Sequence, residues 1–139
     1  MTLGITFDNY GPITVGTIEA VDMLDENNVR EFGRRVIAQV ADCPGTCLLL
    51  NFQHVAFLSS AALSELLRIL DACRPGGGEV RLCGLTDSIR AVFEITNLAK
   101  LFSVYPNDTL DTALARFTRA LSVRGDAKGW EDPAGNAAG

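Results

Sequence analysis

Along this chain, short runs with strand spacing are each followed by stretches in which apolar residues recur every three or four positions. Leu3 to Phe7 and Ile13 to Ala20 read as two short strands, and the turn signal Asn9-Tyr10-Gly11-Pro12 between them predicts an antiparallel hairpin. Asp25 then offers an N-cap, and Val29, Phe32, Val36, Ile37 and Val40 keep helical spacing up to a stop before Pro44-Gly45. Thr46 to Phe52 is the most apolar strand. Its centre, Cys47-Leu48-Leu49-Leu50, does not alternate, so it belongs in the middle of a sheet covered on both faces.

Ser59 and Ser60 open the next helix. That helix puts Leu63, Leu66, Leu67 and Leu70 on one stripe and Glu65, Arg68 and Asp71 off it, and Pro75 with Gly76-Gly77-Gly78 ends it. A strand from Glu79 to Leu85 follows, then a helix capped by Thr86 or Asp87 that carries Ile89, Val92, Phe93 and Leu98. A short strand, Phe102 to Tyr105, precedes Pro106. Asn107 or Asp108 caps a last helix with Leu110, Leu114, Phe117 and Leu121 on its inner stripe. The order β-β-α-β-α-β-α-β-α predicts an α/β fold, a mixed sheet with an N-terminal antiparallel hairpin and four helices. One domain, residues 1–124, is expected. Residues 125–139 turn to Gly, Ala, Asp and Pro and read as a mobile C-terminal tail with Trp130 as its anchor candidate.

Composition narrows the function classes. The 139 residues suffice for a hydrophobic core without staples, and 47% apolar with 21% charged residues is an ordinary globular balance. A net charge of -5 with scattered basic residues argues against nucleic acid as a partner, and Arg30, Glu31, Arg34 and Arg35 read as a solvated helix face. No leader pattern opens the chain and no apolar run is long enough for a membrane span, so a cytoplasmic protein is expected. Cys43 and Cys47 resemble half of a zinc site, but no second half matches, and no metal is expected.

Candidate chemistry concentrates at the serine pair. A hydroxyl there sits at the positive end of a helix dipole, beside backbone N–H groups without intrahelical partners. That position serves a helix cap, an anion site or a phosphorylated serine. On the residues alone a plain N-cap is the simplest reading of Ser60, and the other two uses stay open. His54, the single histidine, lacks the G-x-S-x-G elbow that a catalytic Ser-His pair would use and reads as a polar loop residue. Gly76-Gly77-Gly78 leads from a helix into a strand, the reverse of a phosphate loop. No catalytic residue and no cofactor are expected.

The segment Val55-Ala56-Phe57-Leu58-Ser59-Ser60-Ala61-Ala62-Leu63 resembles the Asp-Ser-(Ser/Thr)-Gly-Leu loop of the STAS domains of anti-sigma factor antagonists. Gly77-Gly78-Glu79-Val80-Arg81-Leu82 is similar to that family's glycine-led fourth strand. Ile89 to Leu98 resembles its third helix and Leu101 to Tyr105 its last strand, so the resemblance covers about residues 1–122. Ser59 stands where the family has Asp, and Ala62 where it has Gly. The resemblance implies a non-enzymatic regulator that captures an anti-sigma factor and is released when that partner, a serine kinase holding its own ATP, phosphorylates Ser60. Ser59 is then the cap, or the phosphoacceptor if the loop register shifts by one. It also implies that Phe57, Leu58, Ser59, Ser60, Ala61, Ala62 and Leu63 form the partner-binding segment. The alternative is a scaffold that is not phosphorylated and assembles with other STAS domains.

Overall fold

The expected hairpin forms, with a tighter turn than the sequence signal suggests. In a computed structural model, which describes residues 3–43, 45–102 and 109–131 (123–131 by backbone alone), β1 (Gly4–Tyr10) and β2 (Ile13–Glu19) pair antiparallel from Gly4↔Glu19 to Tyr10↔Ile13. Tyr10 therefore belongs to the strand, and the chain reverses at Gly11-Pro12, where Gly11 has φ +62°.

β2 also pairs parallel with β4 (Cys47–Asn51), and β4 pairs parallel with β6 (Glu79–Cys83). The sheet order is β1-β2-β4-β6, with the Leu-rich strand inside it as its pattern requires. Leu48 and Leu50 point to the main core, while Leu49 joins Ile13, Val15, Cys83, Ala113 and Phe117 on the opposite face. All three leucines are fully buried, so truncating one to Ala would cost about 2–5 kcal/mol. A second, two-stranded parallel sheet joins β3 (Met23–Leu24) to β5 (Phe57–Leu58). Two-residue strands are too short to show a period, so neither was expected.

Helices α1 (Val29–Asp42) and α2 (Ser60–Cys73) cover the main core. Asp25 does not cap α1: that helix starts at Val29 after a turn in which the Asp25 carbonyl accepts from the Asn28 and Val29 N–H groups. On α2 the buried stripe is Ala62, Glu65, Leu66, Ile69, Leu70 and Cys73. The expectation that Glu65 lies off the inner stripe is thus overturned, and Leu63 and Leu67 are only partly buried. The physical reason lies across the interface: Gly33 has no side chain, and the Glu65 carboxylate fills the space and meets Arg68 Nη1 at 3.1 Å. Arg35 is also more than a solvated face, since its guanidinium donates to the Ile5 carbonyl at 3.1 Å.

A 3₁₀ turn (Arg74–Gly76) closes α2, and Gly77 takes φ +80°. Thr86 caps α3 (Asp87–Ile95), accepting from the Ile89 N–H at 3.3 Å. Phe102 lies in α4 (Ala99–Phe102) rather than in a strand, buried against Phe93 with ring centroids 5.8 Å apart. The remainder of the expected strand, Ser103 to Tyr105, and the capping candidates Asn107 and Asp108 lie outside the described residues. α5 (Leu110–Glu131) packs Ala113 and Phe117 on the second face and runs beyond Arg124. With α4 included, the described residues hold five helices where four were expected. Arg81 places its guanidinium 4.6 Å from the Phe117 ring centre and bonds Glu79 at 2.7 Å, tying α5 to β6.

Candidate functional site

The three parallel strands send their C-terminal loops to one end of the sheet, the usual place for a site in an open α/β layer. The loop after β4 runs through Gln53, His54 and Val55 into β5 and then into α2. From the β2 side it is held by backbone bonds. Ala56 N–H donates to the Asp22 carbonyl at 2.7 Å, Phe57 N–H to the same oxygen at 3.2 Å, and Ser59 N–H to the Leu24 carbonyl at 2.9 Å. From the β6 side the Thr86 hydroxyl donates to the Ala56 carbonyl at 3.1 Å. Beneath them, buried Asn51 accepts from the Gln53 N–H, and Gly84, at φ +71°, lets the two loops meet. A Cβ on Gly84 would stand 2.8 Å from both Asn51 Oδ1 and the Gln53 nitrogen.

This frame gives the two serines different surroundings. Ser59 has extended backbone (φ -88°, ψ 171°), and its hydroxyl accepts from the Ala62 N–H at 3.3 Å. It is the N-cap of α2. Ser60 is the first residue of the helix and is exposed. The first-turn N–H groups and the dipole of α2 favour added negative charge at that end.

The rest of the expected segment divides by burial. Phe57 is 55% exposed, Leu58, Ala61 and Leu63 are half-buried, and Ala62 is wholly buried in the main core. Ala62 therefore shapes the head of α2 from inside and has no surface to offer. Sequence reasoning missed Met23, which pairs with Phe57 across the small sheet and is 39% exposed. Beside this apolar pair lies an open depression of about 910 Å³, whose lining includes Glu19, Asp22, Asp25 and His54. His54 is exposed, and its ring Nε2 lies 3.1 Å from Gln53 Nε2. Among the described residues no group of His, Cys, Asp or Glu could hold a metal ion, and no helix is long and apolar enough to cross a membrane.

The family model for the STAS domain matches residues 8–113. The chain belongs to the STAS domain family. This STAS domain is 27% identical over 117 residues to BtrV of Bordetella bronchiseptica, to which the role of anti-sigma factor antagonist is ascribed. That match spans 84% of this chain and 97% of the relative. Its fold matches the crystal structure of an anti-sigma factor antagonist from Mycobacterium paratuberculosis with a TM-score of 0.68 and 24% identity, over 84% of this chain and 95% of that one. It also matches the anti-sigma factor antagonist SpoIIAA in its unphosphorylated form, with a TM-score of 0.66 and 18% identity, over 88% and 97% of the two chains. The STAS domain thus shares the architecture of anti-sigma factor antagonists.

Proposed function

We propose that this STAS domain is an anti-sigma factor antagonist that captures an anti-sigma factor at the β5–α2 segment and lets it go when Ser60 is phosphorylated. The observation that carries the reading is the division of labour between the serines. Ser59 is occupied as a cap, whereas Ser60 offers its hydroxyl to solvent at the head of a 14-residue helix. The kinase and its ATP belong to the partner.

The physics of release follows from the surface. A phosphate adds about -1.5 to -2 charges. In the free protein the start of α2 tolerates that charge. In a complex that covers Phe57 and Met23 the same dianion would have to shed water against an apolar face, which is costly. Capture is disfavoured while the free domain stays folded.

The test mixes the protein with its anti-sigma kinase and ATP, locates phosphate by mass spectrometry and measures capture before and after. Stoichiometric phosphate on Ser60 with loss of capture, and neither with Ser60→Ala, supports the switch. Phosphate-free protein that assembles with other STAS domains would favour the scaffold instead.

A further inference from the structure

We infer that Thr86 is a positioning residue for Ser60: its hydroxyl clasps the β4–α2 loop from the β6 side and keeps Ser59, not Ser60, in the capping place. This inference rests on the phosphoswitch reading.

Thr86 uses its hydroxyl twice, in two directions. The oxygen accepts from the Ile89 N–H at 3.3 Å and starts α3, and the proton goes to the Ala56 carbonyl at 3.1 Å. Ala56 is a decisive place to hold, because its own N–H is fixed to the Asp22 carbonyl at 2.7 Å. Its peptide units are thus pinned from the β2 loop on one side and from the β6 loop on the other, three residues before the capping serine. Among the described residues, the bonds that hold Ala56, Phe57 and Ser59 from the β2 side are all between backbone atoms, which no ordinary substitution removes. On the β6 side a backbone bond, Phe52 N–H to the Cys83 carbonyl at 2.9 Å, holds only the start of the loop; the bond that reaches Ala56 is made by a side chain, so that is where the loop can be loosened. With the clasp open, Leu58 and Ser59 gain freedom, and either serine can take up the cap while the other faces solvent.

Three substitutions separate the clasp from the cap. Thr86→Ser keeps both bonds. Thr86→Asp keeps the cap but, being ionised, has no proton for the Ala56 carbonyl. Thr86→Val loses both. Two readouts are used: amide hydrogen exchange at Ser59 and Ala62 in the protein alone, and the ratio of phosphate on Ser59 to Ser60 after kinase treatment. Thr86→Asp and Thr86→Val should both speed exchange by about three- to tenfold, the range expected for one lost half-buried hydrogen bond. Both should also place part of the phosphate on Ser59, whereas Thr86→Ser should match wild type. If Thr86 matters only as the cap of α3, Thr86→Asp will behave as wild type in both readouts, and the inference is overturned. Unchanged exchange in Thr86→Val would overturn it as well, whatever the kinase does. Wild-type protein that no kinase phosphorylates would sink the phosphoswitch reading, while the exchange data would still decide the clasp.

Discussion

Gly33 on α1 and Glu65 on α2 share one volume: a methyl group on Gly33 would fall inside the Glu65 side chain. Glu65 is 7% exposed, and its carboxylate reaches Arg68 from within the helix interface. Gly33→Ala should therefore force Glu65 out and cost about 1–3 kcal/mol in urea unfolding. In a Glu65→Ala background the sign should reverse. There the clash is gone, and Ala in place of a mid-helix Gly gains about 0.5–1 kcal/mol. Equal effects of Gly33→Ala in both backgrounds would show that the two residues do not compete for space.

The same pair marks where the sequence stopped being legible. Periodicity found the faces of α1 and α5, where the repeat runs over many residues, while the unbroken apolar run marked the central strand and the Asn9-Tyr10-Gly11-Pro12 signal marked the hairpin. It set Glu65 aside as polar, since nothing on α2 itself announces a carboxylate turned inward. The signal was a lone glycine on another helix. Met23–Leu24 and Phe57–Leu58 escaped for the opposite reason: two residues carry no period, and their pairing depends on loops brought together by the large sheet. At the site the motif located both serines. Which of them caps depends on the Ala62 N–H bond, a matter of loop geometry rather than residue type.

The two serines should separate in stability as well. Ser59→Ala removes the side-chain acceptor for the Ala62 N–H and should cost about 1 kcal/mol. Ser60→Ala, at an exposed first-turn position, should stay within about 0.5 kcal/mol of wild type. Chemical denaturation of both variants measures this. An equal or larger loss for Ser60→Ala would mean that Ser60, not Ser59, is the cap.

Burial pushes the Cys73 thiol up to about 11 from an ordinary 9.0, with the charge of Cys47 adding to the rise. The unfolded chain loses this proton first, so between pH 9 and 11 the folded state holds more protons and stability falls as pH rises. The contribution is complete below pH 9, and its loss amounts to about 3 kcal/mol. The difference between the wild-type and Cys73→Ala stability curves isolates it from other alkaline titrations, and should narrow across that window. Exposed Cys43 should also react with a thiol reagent well before Cys73 does. Parallel curves would mean that Cys73 titrates alike in both states.

Phe57 and Ile95 are both large, apolar and exposed, at 55% and 81%, yet only Phe57 adjoins the serine loop. Ile95 ends α3, about two and a half turns beyond Thr86. If capture uses the β5–α2 segment, Phe57→Ala should weaken binding of the anti-sigma factor by about tenfold or more, as a central aromatic contact does. Met23→Ala should weaken it less, and Ile95→Ala should leave it unchanged. Ile95→Ala should not shift folding stability by more than about 0.5 kcal/mol, because that side chain is largely in water. Phe57→Ala and Met23→Ala, at partly buried positions, should each cost about 1 kcal/mol and leave the domain folded. Calorimetric titration of the variants against the partner separates the two surfaces. A loss with Ile95→Ala and none with Phe57→Ala would move the docking face to the far end of α3 and detach it from the serine that is meant to control it.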